Sequence, residues 1–352
     1  DGGMRYTIGQ LAEIIDGDRG KNYPKQDEFY PQGYCLFLNT GNVTKEGLTF
    51  EENQFITKEK DEALRKGKLK RGDIVYTTRG TVGNAGYYNS NVPYENVRIN
   101  SGMVILRANG EIVDARFLYQ ILKSEYYRPY FKQYCTGSAQ PQLPIKNFSQ
   151  IYLNVPDIKT QHRIADILSA YDDLIENNQK QIKLLEEAAQ RLYKEWFVDL
   201  RFPGHENTEI VDGVPEGWIK EEIGKIIKKV HRTKQIVASE YKDEGSIPIV
   251  DQSRAFVAGY TNDLEARVDF GIPIIVFGDH TRIVKLIQFP FAKGADGTQL
   301  IISDCLEMPQ RLLYCSIMNV DLSNYHYARH FKYLKEEKIM IPTVKVANEF
   351  EN

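Results

Sequence analysis

From Asp157 to Pro203 the chain carries one apolar stripe with a strict four-three alternation. It consists of Ile164, Leu168, Tyr171, Ile175, Ile182, Leu185, Ala189, Leu192 and Trp196, and Asn178 stands in the same stripe. That spacing is the a/d seam of a coiled coil and predicts a long helix with one face made for a partner helix. Pro156 precedes the stretch, and Pro203-Gly204 is expected to stop it. About 42 helical residues at 1.5 Å rise give a rod of roughly 63 Å, more than one small core needs. Asn178 reads in two ways: a polar seam residue that fixes register and partner number, or a position facing solvent or another subunit.

The 352 residues leave room for a globular domain on each side of this rod. Before it come an opening element at Ile8–Ile15, strands at 36–38, 74–78 and 103–106, and a charged helix at 58–66. A glycine-punctuated turn (Gly80, Gly83, Gly86) follows the 74–78 strand. A helix at 117–123 has Phe117, Leu118, Ile121 and Leu122 on one side. The loop 137–144 and the strand 151–155 close the set. After the rod the same order recurs in shorter form. Ile223-Gly224 matches Ile8-Gly9, 273–277 matches 74–78, and 297–302 matches 101–106. Likewise 312–317 matches 117–122, and 338–342 matches 152–156. The expected boundaries are a first domain at 4–157, a spacer helix at 158–203, a linker at 204–217 and a second domain at 218–343. Residues 344–352 are expected to start a second spacer helix that is truncated at Asn352. Asp1-Gly2-Gly3 reads as a vector-derived leader before a natural start at Met4.

Several function classes find no support. The longest apolar run, Ile272–Phe277, is too short to cross a membrane, and no signal peptide is visible, which points to the cytoplasm. Cys35, Cys135, Cys305 and Cys315 are scattered, with neither zinc-ligand nor disulfide spacing, and the six histidines show no metal-ligand pattern. No phosphate-binding G-x-x-x-x-G-K-[ST] loop is present. Asn91-Val92-Pro93-Tyr94 lacks the first proline of the adenine-gripping motif of amino-methyltransferases and reads as a surface turn. Glu336-x-Lys338 has no Pro-Asp before it to make a nuclease motif. The net charge of −3 gives no bulk basic field, so affinity for nucleic acid has to come from local patches.

A set of motifs gives a specific resemblance. These are Gly137-Ser138-Ala139-Gln140-Pro141-Gln142-Leu143, Val155-Pro156, Thr160-Gln161-His162-Arg163-Ile164-Ala165-Asp166-Ile167-Leu168-Ser169 and Asp172-Asp173-Leu174-Ile175-Glu176. Tyr193-Lys194-Glu195-Trp196-Phe197, Phe202-Pro203-Gly204 and Pro215-Glu216-Gly217-Trp218 complete it. Together they resemble the DNA-specificity subunit of type I restriction–modification enzymes. The resemblance implies an α+β fold: two globular α/β target-recognition domains joined by a long coiled-coil-type helix. It implies a subunit without a catalytic site or cofactor of its own, which reads a bipartite site in double-stranded DNA. The spacer helices then set the gap and dock adenine methyltransferase subunits, which use S-adenosylmethionine. Motor-nuclease subunits, which use ATP and Mg, join them. A lone helix also leaves room for self-association through its seam. The alternatives from other classes are a stand-alone methyltransferase or nuclease and a coiled-coil scaffold without DNA specificity.

Side chains able to read base edges mark the candidate contacts. In the first domain these are the turn with Thr78, Arg79, Thr81 and Asn84 and the loop with Ser138, Gln140 and Gln142, followed by Lys146 and Asn147. Arginine suits guanine, asparagine and glutamine suit adenine, and glycines allow close backbone approach. In the second domain they are His280 and Arg282, then Tyr327, Arg329 and Lys332, where aromatic and basic residues interleave. Lys68, Lys70, Arg71 and the run Lys228–Lys234 suit phosphates. Each also reads as an ordinary solvated turn, a loop that only orients the rod, or a packing edge. The partner-binding face of the helix is Leu168, Tyr171, Ile175, Asn178, Ile182, Leu185, Leu192 and Trp196.

Overall fold

A computed structural model describes residues 3–137, 140–294, 296–325 and 329–352 and divides the chain into two units, one ending at Gln179 and one starting at Lys180. The first unit contains β1 (Met4–Thr7), α1 (Ile8–Leu11), β2 (Ala12–Asp16), β3 (Cys35–Leu38), β4 (Phe55–Ile56), α2 (Lys58–Ala63) and β5 (Ile74–Thr77). Then come β6 (Ala85–Tyr87), β7 (Val97–Ile99), β8 (Met103–Ala108), α3 (Ala115–Lys123), α4 (Arg128–Lys132), α5 (Ile145–Ser149), β9 (Tyr152–Val155) and the start of α6 (Ile158–Tyr193). Strands β2-β8-β5-β6 form an antiparallel sheet, β4-β3-β7 form a smaller one with β3 parallel to β7, and β1 pairs with β9. The two-residue period of a strand sorts the core. Ile74, Tyr76, Val104 and Leu106 face α3 and α5, whereas Val75, Met103 and Ile105 pack against Leu36, Leu38, Val97 and Ile99. Buried on both faces, β5 is a hydrophobic run from Ile74 to Tyr76 before Thr77, which made it legible as a strand.

The second unit contains β10 (Ile210–Val211), β11 (Val214–Pro215), β12 (Ile219–Glu222), β13 (Gln235–Ile236), β14 (Ile247–Val250), β15 (Gly259–Thr261), β16 (Arg267–Val268) and β17 (Ile274–Gly278). After these come β18 (Val284–Ile287), β19 (Phe291–Gly294), β20 (Thr298–Ile301), α7 (Gln310–Met318), α8 (His330–Glu336), β21 (Lys338–Ile341) and α9 (Val344–Glu351). Its pairings repeat those of the first unit. β12 pairs with β21 as β1 does with β9, and β18-β17-β20 repeats β6-β5-β8. β14 runs parallel to β19 as β3 does to β7. One isolated bridge, Ile227↔Ser303, stands where β2 lines β8. The glycines aligned by the repeat both permit a close backbone approach. A Cβ on Gly9 would lie 3.1 Å from the Ser149 carbonyl oxygen, and one on Gly224 would lie 3.0 Å from that of Lys335.

Helix α6 is the predicted rod, but it stops sooner. After Tyr193 it widens into one π-helical turn, Lys194–Val198, and Leu200 then takes φ = 57° while Arg201 N–H closes onto the Glu195 carbonyl at 2.8 Å. This αL closure, rather than Pro203, ends the helix. The segment expected to be a polar linker is ordered: Asp212 and Gly213, at φ = 51° and 72°, turn the β10–β11 hairpin. The Phe202 and Trp218 rings meet at a tilt with their centroids 4.5 Å apart, and both are buried.

Candidate nucleic-acid interface

In the first unit the candidate turn follows β5. Its backbone is clamped: Thr78 N–H donates to the Gly102 carbonyl at 3.0 Å, Arg79 N–H to the same oxygen at 3.1 Å, and Leu143 N–H to the Thr78 carbonyl at 2.9 Å. Arg79 therefore stands opposite Gln142, which is itself held by two bonds with Thr136 at 2.7 and 2.9 Å. The Thr77 hydroxyl accepts from Asn84 N–H at 2.9 Å and donates to the Thr81 carbonyl. Gly80 and Gly83 take φ = 70° and 101°, values that favour glycine.

This clamp separates the predicted readers. Arg79 and Thr81 are exposed at the turn, Gln140 is exposed in the neighbouring loop, and Gln142 is half-buried. Among the described residues the Arg79 guanidinium has no hydrogen-bond or ion-pair partner. Thr78 and Asn84 are buried, at 5% exposure each. The Asn84 amide donates to the Val43 carbonyl at 2.9 Å and accepts from Arg128 at 3.4 Å, so it locks the turn. Asn147 donates to the Tyr134 carbonyl at 3.0 Å, and Lys146 is exposed on α5. Ser138 and Ala139 lie outside the described residues.

The second unit repeats the clamp with other residues. Asp279 N–H donates to the Gly297 carbonyl at 2.7 Å, and His330 N–H donates to the Asp279 carbonyl at 2.9 Å. Asp279 thus takes the place of Thr78, Gly297 of Gly102 and His330 of Leu143. His280 then corresponds to Arg79 and Arg329 to Gln142, and both are exposed. The Asp279 carboxylate, buried, accepts from Phe331 N–H at 2.8 Å, and the ring nitrogens of buried His330 meet the Asp279 and Tyr325 carbonyls at 2.9 and 2.8 Å. Arg282 sits at φ = 61° and donates to the Leu322 carbonyl at 3.2 Å, while Lys332 is exposed beside the Tyr333 ring. Tyr327, with His326 and Ala328, lies outside the described residues. The sequence places Asp279 and His330 in the candidate turn and loop but not as anchors, and it does not single out Arg128, because each acts through a partner distant in sequence. The apolar-to-polar swap of Leu143 for His330 in the repeat was the available signal.

Two phosphate candidates are engaged within the protein. Lys68 pairs with buried Asp61. Arg71 donates to the carbonyls of Asn89 (2.6 Å), Val92 (2.9 Å) and Tyr94 (3.1 Å), gripping the Asn91–Tyr94 turn. In the run 228–234, Lys234 is paired with Asp263 at 2.6 Å and Glu265 at 3.1 Å, whereas Lys229, His231 and Arg232 are exposed.

The helix seam is likewise divided. Ile164 packs on the core of the first unit, and Ala189 and Trp196 on that of the second, where Trp196 meets Phe350 of α9 at 5.7 Å. Between them Leu168 (39%), Tyr171 (63%), Ile175 (54%), Ile182 (56%), Leu185 (70%) and Leu192 (39%) are exposed, as is Asn178. Of the residues expected to form the partner-binding face, Trp196 is therefore packed against the second core, and the others are exposed.

Known proteins agree with this architecture. The family described as type I restriction modification DNA specificity domain matches residues 3–187. The HindI specificity subunit of Haemophilus influenzae is 32% identical over 186 residues, covering 52% of this chain and 40% of that protein. The MjaIX specificity subunit of Methanocaldococcus jannaschii is 29% identical over 201 residues, covering 54% and 44%. The chain thus spans less than half the length of these two relatives. The solved S subunit of the type I restriction-modification system from M. genitalium shares the fold, with a TM-score of 0.56 at 14% identity, over 99% of this chain and 87% of that one. With a match over more than half its length, the chain belongs to the type I restriction modification DNA specificity domain family.

Proposed function

We propose that the chain is the DNA-recognition subunit of a type I restriction–modification assembly, in which each unit reads one half of a bipartite site in double-stranded DNA. The observation that carries this is the repeated clamp: one backbone frame presents Arg79 and Gln142 in the first unit and His280 and Arg329 in the second. A constant scaffold with exchanged loop side chains suits two readers with different targets. Base readout falls to Arg79, Thr81, Gln140, Gln142, His280 and Arg329; Thr78, Asn84 and Arg282 hold the loops; Lys146 and Lys332 supply phosphate contacts. Ser138 and Tyr327 belong to the same loops by sequence. We assign 4–157 and 218–343 as the recognition domains, 158–203 as the spacer that sets the distance between half-sites, 204–217 as the connection and 344–352 as the start of a second spacer helix.

The chain carries no chemistry of its own in this reading. Adenine methylation belongs to methyltransferase subunits with S-adenosylmethionine, and cleavage to motor-nuclease subunits with ATP and Mg, all in the cytoplasm. The exposed middle of the α6 seam supports docking of partner helices, or of a second copy. The test is to assemble the chain with its methyltransferase subunit and map modified adenines. A gapped, two-part methylated motif is expected; scattered or absent methylation by an assembled complex would refute the reading.

A further inference from the structure

We infer that the loop after β14, residues 251–255, is a further reading segment of the second unit, and that Arg254 is its base-contacting side chain, matched to a guanine edge. This rests on the DNA-recognition reading above. The loop is fixed from beneath by a buried cation. Lys285 on β18 is 5% exposed, and its ammonium donates to the Asp251 carbonyl at 2.8 Å and to the Ala255 carbonyl at 2.6 Å. Burial holds the Lys285 pKa below the usual lysine range, with nearby Asp251 opposing the shift. A buried ammonium is costly unless its donors are used. Here it pins both ends of one five-residue segment.

The same loop is tied to the candidate turn. Gln252 accepts from His280 N–H at 3.1 Å, donates to the Asp296 carbonyl at 2.8 Å and accepts the Thr281 hydroxyl on its own carbonyl at 2.7 Å. The Asp251 carboxylate accepts from the Tyr241 hydroxyl at 3.2 Å and from Ser253 N–H at 2.9 Å. A Cβ on Gly297 would strike both Gln252 and His280 at 2.7 Å, so the two loops touch across a glycine. Within this tethered segment Arg254 projects into solvent, and among the described residues its guanidinium has no hydrogen-bond or ion-pair partner. A guanidinium on a preorganised loop beside a reading turn is the geometry for bidentate recognition of guanine O6 and N7.

Among the described residues no buried lysine underlies the first unit's loop after β3, where the buried Asn84 amide donates to the Val43 carbonyl instead. There the buried Asn42 also donates to the Thr49 and Glu52 carbonyls at 3.1 and 2.9 Å. The extra reader therefore belongs to one half-site.

The experiment is duplex selection from a randomised pool, using the full chain with its methyltransferase subunit, for the native protein, Arg254→Ala and Arg79→Ala. Arg254→Ala is expected to lose roughly 5- to 150-fold discrimination at one guanine of one half-site. Arg79→Ala should alter the other half-site and leave that guanine intact. Equal weakening on all duplexes, no change, or a change in the half-site governed by Arg79 would overturn the assignment. If the native complex selects no sequence, the DNA-recognition reading fails and this one with it, whereas failure confined to Arg254→Ala overturns this one alone. Lys285→Met, checked by circular dichroism, should blur the same guanine position and no other; an unchanged preference in folded Lys285→Met would show that the pinned loop does not read.

Discussion

Asp61 shows how a buried charged residue can hold a domain together. Its carboxylate is 3% exposed and accepts from Arg98 Nε at 2.5 Å and from Lys68. Arg98, also buried, donates to the carbonyls of Lys66 and Asp61 at 2.7 Å and of Leu64 at 3.1 Å, closing the end of α2. Burial acts to raise the Asp61 pKa, but the hydrogen bonds and charges of Lys68 and Arg98 outweigh it and hold the carboxyl below its ordinary value. A carboxyl depressed in the folded state stabilises fully above its unfolded pKa of about 3.9 and loses that stability as pH falls through the lower folded value. Asp61→Asn leaves Arg98 buried without its counter-ion, so we expect a loss of about 3–5 kcal/mol at neutral pH. Chemical denaturation against pH should show the native acid limb below about pH 4 flattened in the variant. Lys68 looked like a phosphate contact in the sequence because its acid partner lies across a fold contact, not along one helix face. Local patterns reveal which residues can pair, and only the tertiary frame reveals which do.

Among the elements, α6 was the most legible and its anchorage the least. A heptad pattern needs nothing beyond its own spacing, so the rod could be read directly. The fixings at its ends are single polar residues. Gln161 is fully buried at the start of the helix. Its amide donates to the carbonyls of Ile112 at 3.0 Å and Pro156 at 2.8 Å, and its oxygen accepts from Asp114 N–H at 2.9 Å. One side chain thus ties the helix to the strand before it and to the N-cap of α3. Asp166 and Asp172 extend the contact through Arg116 at 2.8 Å and Lys123 at 2.9 Å. Gln161→Leu orphans three buried polar groups, and we expect about 3 kcal/mol of destabilisation. Hydrogen exchange should show faster opening of the first turns of α6 and of α3, with the second unit unchanged; uniform protection would mean that the amide is not the anchor. The β10–β11 hairpin was legible in principle, since Asp212-Gly213 between short apolar pairs is a turn signature. The short strands β13, β16 and β19 were not, because two to four residues without alternation carry too little pattern to stand out from loops.

For the whole molecule, the internal repeat was legible because both units need the same buried strands and the same close-approach glycines, whereas the candidate loops carry different side chains in the two units, so only their positions repeat. The middle of the α6 seam is exposed, with Ile175 and Ile182 on either side of Asn178 in the sequence. Leu168, Tyr171 and Ile175 are exposed on the first unit and Ile182, Leu185 and Leu192 on the second, and exposed apolar rows of this kind mark interaction sites. Ile175 and Ile182 are each more than half exposed, so covering them contributes about 1 kcal/mol apiece. Ile175→Lys with Ile182→Lys should leave the fold intact, since neither side chain packs in either core. The double variant should weaken the association made through the seam by roughly 30-fold, the equivalent of about 2 kcal/mol. Sedimentation of the purified chain with and without the methyltransferase subunit separates the occupants. Loss of a self-associated species assigns the seam to a second copy, and loss of the mixed complex assigns it to the methyltransferase. Unchanged sedimentation in both mixtures would show that the stripe is not a docking face.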